Sequence, residues 1–220
     1  MDLLIVRHGE SVANADGRMQ GQSDYPLSEI GRAQAATLGR FLSRARFSFD
    51  AAYTSPLTRA RQTAKALTSA LGAPDAELAP ELSEIHAGGL QGLTHAEIID
   101  RYPGFMQRGL TGLGDFAEYG GESYDEVQRR VHLLVERWYA RHRQAAHRIL
   151  AVAHGGFNFH LVKSLVCAPV PRVMSLKFGN CTATLVRMSE RRGLFLGEVV
   201  FHLPVDLLGA ITGEGLVGVF

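Results

Sequence analysis

Three places in the chain put reactive side chains directly after a short apolar run. Leu3-Leu4-Ile5-Val6 runs into Arg7, His8 and Gly9. The run Asp50–Thr54 is followed by Ser55-Pro56 and then Arg59. The run Arg148–Ala153 (RILAVA) enters His154-Gly155-Gly156. Each alone also reads as a turn, a packed histidine or a solvated helix residue, and Arg59 shares a polar side with Arg61 and Lys65. Two histidines followed by glycine, with two arginines close by, favour a site for an anion.

The anion they suit best is phosphate. Arginine clamps phosphate oxygens through charge-assisted, bidentate hydrogen bonds. Glycine lets backbone N–H groups come close. A helix starting at Ser55 would add free N–H groups and a partial positive charge. A neutral imidazole can attack phosphorus, and the surrounding charges stabilise the transition state. The leaving oxygen needs an acid, and Glu84, in LSEIHAGGLQGLT, is the candidate.

The elements that must hold these residues alternate between strand and helix. Leu3–Val6, Asp50–Thr54 and Arg148–Ala153 read as strands. Ser28 caps a helix running to Ala45, and Ser55-Pro56 reads as an N-cap followed by proline in the first turn. Ser123 and Glu126 have capping-box spacing ahead of a third helix, Phe157–Val166 suits a fourth, and Thr182–Met188 and Leu194–Leu203 suit closing strands. The fold class expected is α/β: three α/β/α layers around a mostly parallel sheet, with ligands at the carboxyl ends of the strands. Adjacent strand residues face opposite ways, so Arg7 and His8 can share one phosphate only if the strand ends there, with Gly9 permitting the turn.

Composition narrows the partners. The formal net charge of +1 leaves no global field for nucleic acid or an anionic membrane, and 46% hydrophobic residues suffice for a core. No segment has the length of a transmembrane span or the pattern of a signal peptide. Cys167 and Cys181 cannot build a disulfide framework, so a reducing, cytoplasmic location is expected. His86 and His95 lack metal-ligand spacing, and no metal or other cofactor is expected.

The motifs also carry a family resemblance. LLIVRHGESVAN, followed by QGQSDYPLSEIGRAQA, resembles the opening of the histidine phosphatase (phosphoglycerate mutase-like) superfamily. TSPLTRARQTA, LSEIHAGGLQGLT, GGES and VAHGGFN resemble its later motifs, in the family's order, from Leu3 to about Asn158. The resemblance implies that His8 becomes a phosphohistidine and that Arg7, Arg59 and His154 form the phosphate pocket. It implies that Glu84 protonates the leaving oxygen and then activates water. Asn14 and Gln22 match polar contacts to the phosphoryl group, Gly155 can offer its N–H, and metal is not part of the family's chemistry.

The family contains hydrolases and mutases. EIHAGGLQGLT resembles cofactor-dependent phosphoglycerate mutases, but the interval from His86 to Gly121 is short and carries only Arg101 and Arg108 as cations beyond histidine. The tail ITGEGLVGVF lacks lysines. Hydrolysis of a small phosphomonoester therefore ranks above mutase chemistry, and a catalytically silent phospho-ligand binding protein ranks below both. The chain is expected to be one domain, 1–220, with a small helical cap at about 94–119 forming its own core or an apolar wall beside the phosphate. A homodimer is compatible with the fold, though no exposed stripe marks its interface. His8 neutral and Glu84 protonated would give a bell-shaped pH profile with an acidic to neutral optimum.

Overall fold

In the computed structural model, which describes residues 1–105, 115–142, 147–166, 176–191 and 194–205, the run Leu3–Val6 lies at the centre of the sheet. Strand β1 (Asp2–Arg7) pairs in parallel with β4 (Arg148–Ala153), which pairs in parallel with β2 (Ala51–Thr54). A two-residue β3 (Glu77–Leu78) forms one edge, and antiparallel β5 (Ala183–Arg191) and β6 (Leu194–Leu203) complete the order β3-β2-β4-β1-β5-β6. The sheet is mostly parallel, as expected. β3 was not anticipated, because two exposed residues carry no periodicity.

The strand alternation explains the layers. Leu3 and Ile5 of β1 pack with Val131, Leu134 and Trp138 of α5 (Tyr124–His142) and Phe157 and Leu161 of α6 (Gly155–Val166). Leu4 and Val6 face the other way, onto Leu38 and Leu42 of α2 (Glu29–Arg44) and Ala60, Ala64 and Leu67 of α3 (Thr58–Leu71). All four β1 residues are fully buried, as a central parallel strand covered on both faces requires.

Local signals set most boundaries. Ser28 accepts the Gly31 N–H and caps α2, and Ser123 with Glu126 forms a capping box that opens α5. Helices α1 (Val12–Ala15) and α4 (His95–Arg101) are short and capped by their own boxes. The expected cap at Ser55-Pro56 is a correction. Helix α3 starts later, Leu57 is its N-cap, and the Asp24 carboxylate takes the Thr58 N–H and hydroxyl at 2.7 Å each. Ser55 is drawn away because its hydroxyl lies 2.8 Å from His154 Nε2. The N-terminus of α3 therefore holds a carboxylate of the protein itself.

The segment expected as a cap contributes α4 and a 3₁₀ turn at Ala117–Tyr119. Leu90 and Ile98 pack with Met19, Tyr102, Phe105 and Tyr119 in a small cluster apart from the two sheet faces. Met106, Arg108, Leu110 and Leu113, residues 192–193 between the closing strands, Cys167 and the tail from Asp206 lie outside the described residues.

Candidate active site

The carboxyl ends of β1, β2 and β4 open into a cavity of about 550 Å³. Six residues singled out from the sequence line it: Arg7, His8, Asn14, Arg59, Glu84 and Gly155. His154 and Gln22 are not among its lining residues. β1 ends at Arg7, so the strand stops where the expected turn needs it to. Gly9 has a different reason from the one expected. Its backbone is not left-handed; a Cβ there would overlap the Gly31 carbonyl oxygen of α2. Thr63 of α3 accepts the Gly9 N–H at 3.0 Å and fixes the loop from the other side.

His8 is 2% exposed, and its Nδ1 lies 2.6 Å from the Gly9 carbonyl oxygen. A carbonyl can only accept, so Nδ1 carries the proton and the neutral ring keeps its lone pair on Nε2. Burial, reinforced by the Arg7 and Arg59 charges, holds His8 well below the ordinary imidazole range. His154 is fully buried, its ring centroid 5.0 Å from that of His8, and burial with the neighbouring rings and guanidiniums lowers it in the same way. Its Nδ1 is buried without a partner.

Two guanidiniums flank these rings. Arg59 is fully buried and donates to the carbonyls of Ser23 and Gly21, both at 2.8 Å. Arg7 donates to the Phe178 carbonyl at 2.6 Å. Burial lowers Arg7 and pulls Arg59 down to about 10, still cationic at neutral pH. Both Nε groups are buried without a partner. Such donors are costly to leave unpaired, so an anion between them recovers the lost hydrogen bonds.

Glu84 is seated on the start of α6. Its Oε2 accepts the Gly156 N–H at 3.1 Å, and its Oε1 accepts those of Phe157 and Ile85 at 2.9 Å each. A Cβ on Gly156 would lie 2.9 Å from Glu84 Oε1, so Gly156 keeps the carboxylate in reach. Gly156, named in the His154-Gly155-Gly156 run without a role of its own, spends its N–H on Glu84, whereas Gly155 lines the cavity against the Arg7 guanidinium. Asn14 Oδ1 accepts from the Ser11 N–H and hydroxyl and from Asn180 Nδ2, leaving its own amide N–H groups for the cavity. Gln22 does not line the cavity; its Nε2 donates to the Glu84 carbonyl at 3.0 Å and steadies that loop.

Glu122 and Arg130 were not visible as site residues. They form a two-point pair (3.0 and 2.9 Å), Glu122 accepts the His86 N–H, and Arg130 donates to the carbonyls of Glu81 and Ser83. Together they brace the segment that carries Glu84. The only sequence signal was the GGES motif, read as a helix start. Among the described residues, no cluster of three or more His, Cys, Asp or Glu side chains could hold a metal ion.

A family model described as the histidine phosphatase superfamily (branch 1) matches residues 3–197. A metal-independent phosphoserine phosphatase of Arabidopsis thaliana is 33% identical over 70% of this chain and 64% of its own length. A probable phosphoglycerate mutase, GpmB, of Salmonella choleraesuis (strain SC-B67) is 31% identical over 91% of each chain. A solved mycobacterial glucosyl-3-phosphoglycerate phosphatase, in complex with VO3, superposes with a TM-score of 0.78 at 32% identity, covering 91% of this chain and 97% of that one.

Proposed function

The chain belongs to the histidine phosphatase superfamily, and from that premise we propose that it hydrolyses small phosphomonoesters through a phosphohistidine on His8. The observation that carries the reading is a neutral His8, its Nδ1–H on the Gly9 carbonyl, beside two guanidiniums whose buried Nε groups lack partners. Arg7, Arg59, His154 and the Asn14 amide hold the phosphoryl oxygens. The Nε2 lone pair of His8 attacks phosphorus, the bond to the leaving oxygen breaks, and Glu84 gives that oxygen its proton. Glu84 then takes a proton from water, the water oxygen attacks phosphorus, and the N–P bond breaks, returning His8 to its neutral form. The cavity supplies charge and position, which is what phosphoryl transfer demands of a protein.

Similarity to GpmB favours a second reading, return of the phosphoryl group to a phosphorylated acceptor. Beyond Arg7 and Arg59, only Arg18 and Lys177 bring cationic side chains to the cavity among the described lining residues, few for retaining a bisphosphate away from water. The test is phosphate release from p-nitrophenyl phosphate without added metal, with a separate incubation of 3-phosphoglycerate and its bisphosphate primer. Free phosphate from the first supports hydrolysis; abundant 2-isomer with little free phosphate from the second reverses the ranking. If wild type is inert on a broad phosphomonoester panel, the non-catalytic binding reading takes over.

The same proposal makes 1–220 one domain with its cap at about 94–119, supported by the small separate cluster around Leu90 and Ile98. Among the described residues no helix is long and apolar enough to cross a membrane. A cytoplasmic location and a homodimer are the remaining parts of the reading, checked by cell fractionation and sedimentation equilibrium.

A further inference from the structure

The outer wall of the cavity holds a polar side chain that the phosphoryl chemistry does not use. His160, on α6, is 1% exposed and lines the cavity. Gln128 of α5 places its amide nitrogen 2.8 Å from His160 Nδ1. With an N–H donor on Nδ1, the neutral ring carries its own proton on Nε2. The Tyr124 ring packs edge-on at 5.4 Å and fixes the plane. Burial, with the Lys163 and Arg130 charges, lowers His160 to about 4, so the ring is neutral and lies in a positive field. The Phe159 ring lies edge-on to it at 5.4 Å, and Phe116 and Leu176, which line the same cavity, carry no side-chain acceptor.

The charges around it are unbalanced. Lys177 lines the mouth of the same cavity, is exposed, and pairs with no carboxylate among the described residues. Arg18, the other outer cation, has Glu97 at 3.6 Å and Asp16 at 4.0 Å and donates to the Gly92 carbonyl. Glu84 is the one acidic side chain among the described lining residues, and the N–H groups at the start of α6 occupy it. Arg7 and Arg59 match the charge of one phosphate dianion. The outer half is left with a fixed N–H donor and a cation, and with no anion to meet them.

We propose that His160 and Lys177 form a second anion subsite, which binds a carboxylate carried by the organic part of the substrate. A hydroxyl would satisfy His160 but leave Lys177 unmatched, and a second phosphate dianion would exceed the single charge available. A carboxylate accepts from both. The proposal rests on the phosphatase reading for the inner half, so its test has a binding arm that does not depend on turnover.

The binding arm compares 3-phosphonopropionate and 4-phosphonobutyrate with propylphosphonate and butylphosphonate by calorimetry. At least one carboxylate-bearing member should bind about 10-fold tighter than its partner, about 1.4 kcal/mol. His160→Phe and Lys177→Met should each bring that ratio towards one, and His160→Gln, which keeps an N–H donor, should restore part of it. The turnover arm measures the ratio of kcat/KM for 3-phosphoglycerate over glycerol 3-phosphate, which cancels any general loss of activity within one variant. A binding ratio near one in wild type overturns the subsite whatever the enzyme turns over. So does a ratio that survives both His160→Phe and Lys177→Met, the latter a surface change that leaves the core intact. Failure to release phosphate from p-nitrophenyl phosphate, with the binding ratio intact, overturns the hydrolase reading and leaves the subsite standing.

Discussion

The inner and outer halves of the cavity are built from different materials. In the inner half the main chain holds the reactive side chains. The Gly9 carbonyl orients His8, the carbonyls of Gly21, Ser23 and Phe178 hold the arginines, and three N–H groups hold Glu84. In the outer half, Met19, Phe116, Phe159 and Leu176 line an apolar wall, with His160, Lys177 and the carboxylate-paired Arg18 among its polar members. Backbone partners survive substitution of neighbouring side chains, so the inner half can stay constant while the outer half varies. On the proposed reading, phosphoryl chemistry belongs to the first and substrate choice to the second.

The largest effects should come from the inner half. His8→Asn removes the lone pair proposed to attack phosphorus, and turnover should fall by about 10⁴-fold or more. Acid-stable labelling aside, the base-stable phosphoenzyme trapped from wild type by rapid quench should be missing. Turnover by His8→Asn within tenfold of wild type would break the division of labour at once. Glu84→Gln keeps one oxygen to accept the Phe157 and Ile85 N–H groups but removes the proton, and kcat on an alkyl phosphate should drop by about 10²–10³-fold. p-Nitrophenyl phosphate, whose leaving group needs no proton, should lose less. Equal losses on both substrates would strip Glu84 of the acid role.

The third effect falls on the scaffold between the halves. Arg130 and Glu122 have side chains only 16% and 19% exposed, and Glu122→Ala leaves the nearly buried guanidinium its carbonyl partners but no counter-charge. Stability should fall by about 3 kcal/mol, read as a shift in urea midpoint. The loop bearing Glu84 should loosen as well, so kcat falls more than the unfolded fraction explains. A stability loss with unchanged kcat would mean that this pair braces the fold alone.

What could be read from the sequence divides along similar lines. α2 and α5 were legible because Ser28, and Ser123 with Glu126, make hydrogen bonds to residues three positions away. β1 and β4 were legible because residues buried on both faces leave an unbroken apolar run. Ser55 was misplaced because its partner, His154, is 99 residues away, and Asp24 caps α3 from 34 residues away. Gly9 was assigned the wrong reason, since its neighbour Gly31 comes from another helix. The motifs led to six residues on the cavity wall, yet Gly156, Glu122 and Arg130 act through contacts that no local pattern encodes. His160 was legible as helical but not as facing the cavity.

A smaller effect, shared by both halves, depends on pH. His8, His154 and His160 are all held neutral, with folded values below the ordinary imidazole value. Above about pH 6.5 they are neutral in both folded and unfolded chains and cost nothing. As pH falls from there towards the folded values, the unfolded chain takes up protons that the folded chain refuses, so stability is lost. Each contributes roughly 1 kcal/mol per pH unit across that window. The melting temperature should therefore decline below pH 6.5, and His160→Gln should make the decline shallower. A melting temperature flat from pH 7 to pH 5 would contradict the burial of these rings. The acid limb of the activity profile should follow this unfolding.

The smallest effect tests the outer wall itself. Phe116 is half-buried between the cavity and the Met19–Leu90 cluster, and its N–H is tied to the Glu122 carbonyl. Phe116→Ala removes apolar surface that a bulky leaving group would cover but leaves that backbone bond in place. About 1 kcal/mol of contact is at stake, because the ring is shared with the cap cluster. KM for a bulky phosphomonoester should rise about fivefold relative to a small one, since 1 kcal/mol is about a factor of five. Uniform binding of this kind raises KM and leaves kcat in place, the signature of a wall that does not touch the reacting atoms. A fall in kcat on both substrates would mean that the outer wall also positions Glu84, through the Glu122 backbone to which Phe116 is bonded.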